Sequence, residues 1–150
     1  LNQHKASRFY GFDSFLGLPD DWNQLQKKGS FSLKGVSPRF KDPRIQIIKG
    51  WFQNTLNNFL LETEFKNNLI VHYDADLYSA TLYTLLKLDE KKTPYYAIFD
   101  EFAGGEARAL YNYMEMTKAK VEFIGSVVTE DYPERISCKI IPLPIYSPDL

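Results

Sequence analysis

The sequence predicts an α/β fold: three layers, a mostly parallel sheet, and a terminal antiparallel hairpin. Three observations carry this. Short apolar, β-rich runs alternate with helical patterns along most of the chain, and that alternation builds a parallel sheet through right-handed crossovers. Two of the runs, residues 69–73 and 95–99, end in carboxylates, Asp74 and Asp76 after one, Asp100 and Glu101 after the other. In open α/β sheets the crevice beyond the carboxyl ends of the strands is where ligands bind. The last two runs are separated only by a short polar turn, so they pair antiparallel at one edge.

Element by element, residues 8–12 read as a strand ending at Asp13. Gly17-Leu18-Pro19-Asp20-Asp21-Trp22 is turn chemistry, leading into a short helix over 20–28. Residues 29–43 hold two Gly and two Pro and read as a loop of functional length, a lid or substrate loop. A strand over 44–49 is closed by Gly50, and Asn54 or Thr55 caps a helix to about 66 with Leu56, Phe59, Leu60 and Phe65 apolar. The run 69–73 is too short and too β-rich for a helix and reads as a buried strand. A helix over 79–88 carries Leu82, Leu85, Leu86 and Leu88. Pro94 precedes the strand 95–99, and Gly104-Gly105 precede a long helix over 106–119. Strands at 121–128 and 137–142 flank a polar turn at 129–134, and a tail with Pro144 and Pro148 is irregular.

A chain of 150 residues with 44% hydrophobic content fits one globular domain, residues 1–150. The net charge of −1 excludes a general electrostatic nucleic-acid binder. No apolar run approaches the ~20 residues that span a bilayer, and the polar start, residues 1–8, does not read as a secretory signal. Cys138 is the only cysteine. It excludes a disulfide framework, reads as a core thiol, and implies a reducing, cytoplasmic setting.

Four blocks carry a resemblance. They are Phe9-Tyr10-Gly11-Phe12-Asp13-Ser14-Phe15-Leu16-Gly17-Leu18-Pro19, Lys49-Gly50-Trp51-Phe52-Gln53-Asn54-Thr55-Leu56, Asp74-Ala75-Asp76-Leu77-Tyr78-Ser79-Ala80-Thr81 and Phe99-Asp100-Glu101-Phe102. In this order and at these separations they resemble the macrocin O-methyltransferase family of class I S-adenosylmethionine-dependent methyltransferases, a Rossmann-like fold. That family methylates sugar hydroxyls in antibiotic biosynthesis. The resemblance implies S-adenosylmethionine and Mg²⁺, or a similar divalent cation, as cofactors, and a sugar-like small-molecule hydroxyl as acceptor. The chain departs from the family in two ways. Its first strand resembles the family's second, with no Gly-rich strand end before it, so the domain reads as N-terminally truncated. Three explanations stay open: a longer natural chain, a slot filled by another chain such as a homo-oligomer partner, or a reduced domain that does not bind cofactor. The second departure is Glu101, where the family more often has Asp.

By this resemblance Asp13 and Ser14 hold the adenosyl ribose, an acidic strand end being able to accept from two ribose hydroxyls. Gly50 allows close backbone approach, and Trp51 or Phe52 stacks on adenine or packs in the core. The resemblance assigns Asp74, Asp100 and Glu101 to the metal, with Asp74 also near the cofactor. Hard divalent cations take carboxylate oxygens, lower a bound hydroxyl's pKa, and leave a nearby carboxylate to take the proton. Asp74 and Asp76 are the catalytic candidates, Asp76 being either a further ligand or the base; Asp76 as cap of the following helix is the competing structural role. His72, inside a strand, reads as a buried core residue.

Three other functions compete. A nucleotide-sugar glycosyltransferase also uses Asp-x-Asp, but does not explain Asp13 or Gly50-Trp51-Phe52. A haloacid-dehalogenase-type phosphatase places its Asp pair at the start of the domain, with Thr or Val where Tyr78 stands. A non-catalytic methyltransferase-like binding or assembly module fits the absent first strand.

Overall fold

The computed structural model describes residues 7–65, 68–129 and 132–144. The chain divides into two compact units, Leu1–Asn58 and Phe59–Leu150.

The first unit holds two parallel strands, β1 (Phe9–Asp13) and β2 (Ile45–Lys49), in register Phe9↔Ile45 to Asp13↔Lys49. Their C-terminal ends are tied where the Gly50 amide donates to the Asp13 carbonyl at 2.9 Å. The helix expected over 20–28 does not form. Its backbone amides are taken by side chains instead: Asp21 Oδ1 accepts from Lys28 N at 2.9 Å, and Asn23 Oδ1 accepts from Leu25 N and Gln26 N at 2.8 Å. Short Asp and Asn side chains compete with helical hydrogen bonds in this way. The loop at 29–43 is irregular, as expected, and bears exposed Phe31, Leu33, Val36 and Phe40.

Helix α1 (Phe52–Glu62) straddles the division between the units. It starts earlier than its Asn54 or Thr55 cap predicts: the Trp51 carbonyl accepts from both Asn54 N (2.9 Å) and Thr55 Oγ1 (3.0 Å). It ends at Glu62, short of the predicted end near residue 66, since residues 63–65 are not helical.

The second unit is a four-stranded sheet, order β3-β4-β6-β5, with β3 (Ile70–Tyr73), β4 (Tyr95–Phe99), β5 (Lys120–Thr129) and β6 (Tyr132–Ile141). β3 and β4 are parallel; β6 runs antiparallel to β4 and β5, giving the expected edge hairpin. Its strands reach further than the sequence suggests: Tyr132, Pro133 and Glu134, expected in a polar turn, belong to β6. Pro133 is tolerated because β4 pairs with β6 only from Ile136 to Ile140, so no ladder bond to β4 is lost at residue 133.

The core of this unit is one face of that sheet. Tyr73, Tyr95, Ala97, Phe99, Ile136, Cys138 and Ile140 are buried, alternating along their strands as the pleat requires. Buried residues of α2 (Tyr78–Asp89), Thr81, Leu85 and Leu88, and of α3 (Ala107–Thr117), Ala109, Leu110 and Tyr113, complete it. Tyr113 donates to the buried Asp89 at 2.8 Å, and Tyr73 and Tyr95 share a hydroxyl–hydroxyl bond of 2.9 Å. Cys138 is fully buried and burial pushes its thiol up to about 11, the inert core thiol expected.

Among the described residues, hydrogen bonding forms a two-stranded and a four-stranded sheet, and Ile70, on the face of the four-stranded sheet opposite its core, is 64% exposed. His72 shares that face and is exposed rather than buried. β3 is an edge strand, and its outward residues have no neighbour on one side.

Candidate functional site

In the first unit, β1 and β2 bring Asp13, Ser14 and Gly50 to one strand end. Asp13 Oδ1 accepts from Phe15 N at 2.7 Å, and Ser14 Oγ accepts from Leu16 N at 3.1 Å. Both side chains thereby shape the turn; Asp13 is exposed and Ser14 buried. Gly50 adopts φ +146, and a Cβ there would stand 2.7 Å from Thr55 Cγ2, which accounts for glycine at this strand-to-helix turn. Trp51 and Phe52 follow, both half-buried, at the start of α1.

In the second unit, Asp74 and Asp76 leave β3 while Asp100 and Glu101 leave β4. The Asp100 amide donates to the Tyr73 carbonyl at 3.0 Å, aligning the two strand ends. Asp76 takes a left-handed conformation, φ +56, which Asp tolerates better than most residues. Its neighbour Leu77 is the N-cap residue of α2 and no side chain caps that helix, so the capping role for Asp76 is not realised. Burial, then the charges of Asp74 and Asp100, push the Asp76 carboxyl up. Burial and the charges of Asp76, Asp100 and Asp74 do the same to Glu101. The four carboxylates therefore share one field, and like charges crowd together there.

Two further residues enter that the sequence did not single out. Arg135 of β6 places Nε 2.7 Å from Asp100 Oδ1, and His72 Nε2 lies 3.6 Å from the same oxygen. Glu106, at the end of the turn Phe102–Glu106 that joins β4 to α3, is 1% exposed. Its Oε2 accepts from Glu101 N at 3.2 Å, the Ala75 amide also bears on it, and its Oε1 has no hydrogen-bond partner. Burial raises its carboxyl to about 7. The sequence signal for Glu106 is slight, a third carboxylate five positions beyond Glu101; Arg135 is brought in only by strand pairing.

The metal set expected from Asp74, Asp100 and Glu101 does not fit the geometry. Among the described residues no three His, Cys, Asp or Glu side chains are placed to share an ion. Arg135 already supplies a positive charge to Asp100 at hydrogen-bond distance.

No family model and no curated protein matches the sequence. Among solved structures, the crystal structure of CalS11, a calicheamicin methyltransferase, matches with a TM-score of 0.61 at 20% identity. The fold is methyltransferase-like. The match covers 86% of this chain and 59% of CalS11, so the chain spans about three-fifths of that protein's length. In this methyltransferase-like fold the acidic strand ends and the Asp13–Gly50 strand end are the places where loops follow parallel strands. Among the described residues no helix is long and apolar enough to cross a membrane.

Proposed function

We propose that this chain forms the acceptor half and part of the donor half of an S-adenosylmethionine-dependent O-methyltransferase, acting on a hydroxyl of a sugar-like small molecule. The carrying observation is the acidic rim of Asp74, Asp76, Asp100 and Glu101 at parallel strand ends of a methyltransferase-like fold. The four sequence blocks that resemble macrocin O-methyltransferases support the same chemistry.

The bound cofactor supplies an electrophilic methyl group on a sulfonium. In this reading the free carboxylate oxygen of Asp13 accepts from the ribose hydroxyls, and Trp51 or Phe52 packs on the adenine. Asp76 is the base. It is half-buried with its carboxyl pushed up, which makes it a better proton acceptor than an ordinary carboxylate. With the cofactor bound to supply the methyl group, Asp76 would take the proton of the acceptor hydroxyl and return it to solvent. Asp74 and Glu101 orient the acceptor's other hydroxyls. The remaining barrier is in-line placement, a matter of positioning. The exposed apolar residues Phe31, Leu33, Val36 and Phe40 of the loop at 29–43 select the acceptor.

Calorimetric titration with S-adenosylmethionine tests the reading. Binding is expected, followed by methyl transfer to a sugar-like hydroxyl acceptor. Absence of binding heat removes the proposal, and binding of a UDP-sugar with Mn²⁺ instead would favour a glycosyltransferase.

A further inference from the structure

The loops that carry the four rim carboxylates have few backbone bonds of their own, yet one dipeptide touches both. Glu106 is 1% exposed, its Oε2 accepts from the Glu101 amide at 3.2 Å, and the Ala75 amide lies near enough to hold its carboxyl down in part. Ala75 lies between Asp74 and Asp76; Glu101 follows Asp100. Gly105, next in the chain, presses on the same loop from its other side: a Cβ at Gly105 would stand 2.9 Å from the Asp76 carbonyl oxygen and 3.1 Å from Tyr78 N. Backbone cannot give way as a side chain can, so only glycine permits this approach. The chain reaches the position through a wide turn in which Ala103 and Gly104 leave helical geometry, Gly104 at φ +101.

We propose that Gly105-Glu106 is the positioning element of the rim: it fixes the Asp74–Asp76 loop against the Asp100–Glu101 loop and so sets the spacing of the four carboxylates. Glu106 is buried and touches backbone, so it acts through the rim residues and does not itself meet a substrate. A buried carboxyl among carboxylates is costly, and the Glu101 amide is the hydrogen bond that offsets it. Its uncommitted Oε1 shows that this compensation is partial. A packing role alone would be served better by Leu or Met. The functional consequence rests on the methyl-transfer reading; the positioning role does not.

Amide hydrogen exchange on the intact protein tests it. In Glu106→Leu the Glu101 amide is expected to exchange at least about tenfold faster than in the parent, since it loses its acceptor, and the Ala75 amide to exchange faster with it as its loop loosens, while Leu85 in α2 and Tyr113 in α3 keep their protection. Glu106→Gln, which retains an acceptor oxygen, is expected to restore both amides to within about threefold. Unchanged exchange at Ala75 and Glu101 in a folded Glu106→Leu protein overturns the proposal, as does an increase shared equally by Leu85 and Tyr113. If Glu106→Leu does not fold, Gly105→Ala decides: its amide shift changes should reach both 75–78 and 100–101, and confinement to α3 overturns the proposal. Where methyl transfer is measurable, Glu106→Leu lowers kcat with little change in KM, and Glu106→Gln recovers most of it. A protein with no methyl transfer at all would leave the exchange result standing, so the two readings fail separately.

Discussion

Arg135 Nε stands 2.7 Å from Asp100 Oδ1, so the β5–β6 hairpin delivers a guanidinium to the acidic end of β4. The pair is half open to solvent, with side-chain exposures of 51% and 27%. Its energy is accordingly modest, but its position is informative: it stands where a divalent cation would have to compete.

Arg135→Gln is therefore expected to lower stability by only about 0.5–1 kcal/mol, with the loss shrinking at high salt. The larger effect is on cation response. Added Mg²⁺ should stabilise the variant more than the parent, because the charge on Asp100 is no longer matched. Chemical denaturation of both proteins with and without Mg²⁺ measures this; an equal response in the two would show that Arg135 does not guard the rim.

The Glu106 carboxyl rises from an ordinary 4.5 to about 7, through burial first and the charges of Asp74 and Asp76 after it; Tyr73 also lies within its field. A raised acid holds more protons folded than unfolded. Its contribution is complete below about pH 4.5 and is lost as pH climbs through about 7. The full swing is on the order of 3 kcal/mol. Asp76 and Glu101, also raised, act in the same direction. Asp42, held down to about 2 by its hydrogen bonds with Arg44, loses its contribution only at lower pH. Urea unfolding across the window should show stability falling as pH rises, and Glu106→Gln should flatten most of the slope.

Gly50→Ala combines two penalties. The residue sits at φ +146, and its new Cβ would meet Thr55 Cγ2 at 2.7 Å. A cost of about 1–3 kcal/mol follows. Replacing Thr55 by Ser in the same chain removes the methyl contact but not the backbone strain. Only part of the loss should return in the double variant, as read from unfolding midpoints.

Asp13 does two separable things. Its Oδ1 takes the Phe15 amide at 2.7 Å, which Asn can do equally well. Asp13→Asn should therefore keep near-parental stability, whereas Asp13→Ala should lose about 1 kcal/mol. In the proposed function both weaken S-adenosylmethionine by roughly tenfold or more, since the charged acceptor of the ribose hydroxyls is gone. Calorimetry beside thermal denaturation separates the two effects.

Much of the fold was legible from short-range pattern. The apolar runs at 70–73 and 95–99 became β3 and β4 because they are short and β-rich, although only one face of each is buried. The parallel pairs and the edge hairpin followed from the order of elements. Where the reading failed, a competing local bond or a distant partner decided. Asp21 and Asn23 drew the backbone of 20–28 into turns, although the same residues are good helix starters. His72 is exposed because it points to the face opposite buried Tyr73, and which face carries the core is decided by the helices that pack on it.

The sequence by itself determined which carboxylates stand at strand ends, because that depends on where apolar runs stop. It also determined the glycines and short polar residues that let the chain turn there. Only the tertiary structure decided what those carboxylates face. Arg135 lies 35 residues beyond Asp100 and reaches it through antiparallel pairing of β6 with β4. Gly105 lies against the Asp76 carbonyl across a gap of 29 residues, at the end of a turn whose backbone leaves helical geometry. A carboxylate's charge state and partners are set by burial and by neighbours distant in the chain, and those are properties of the folded sheet rather than of any one segment.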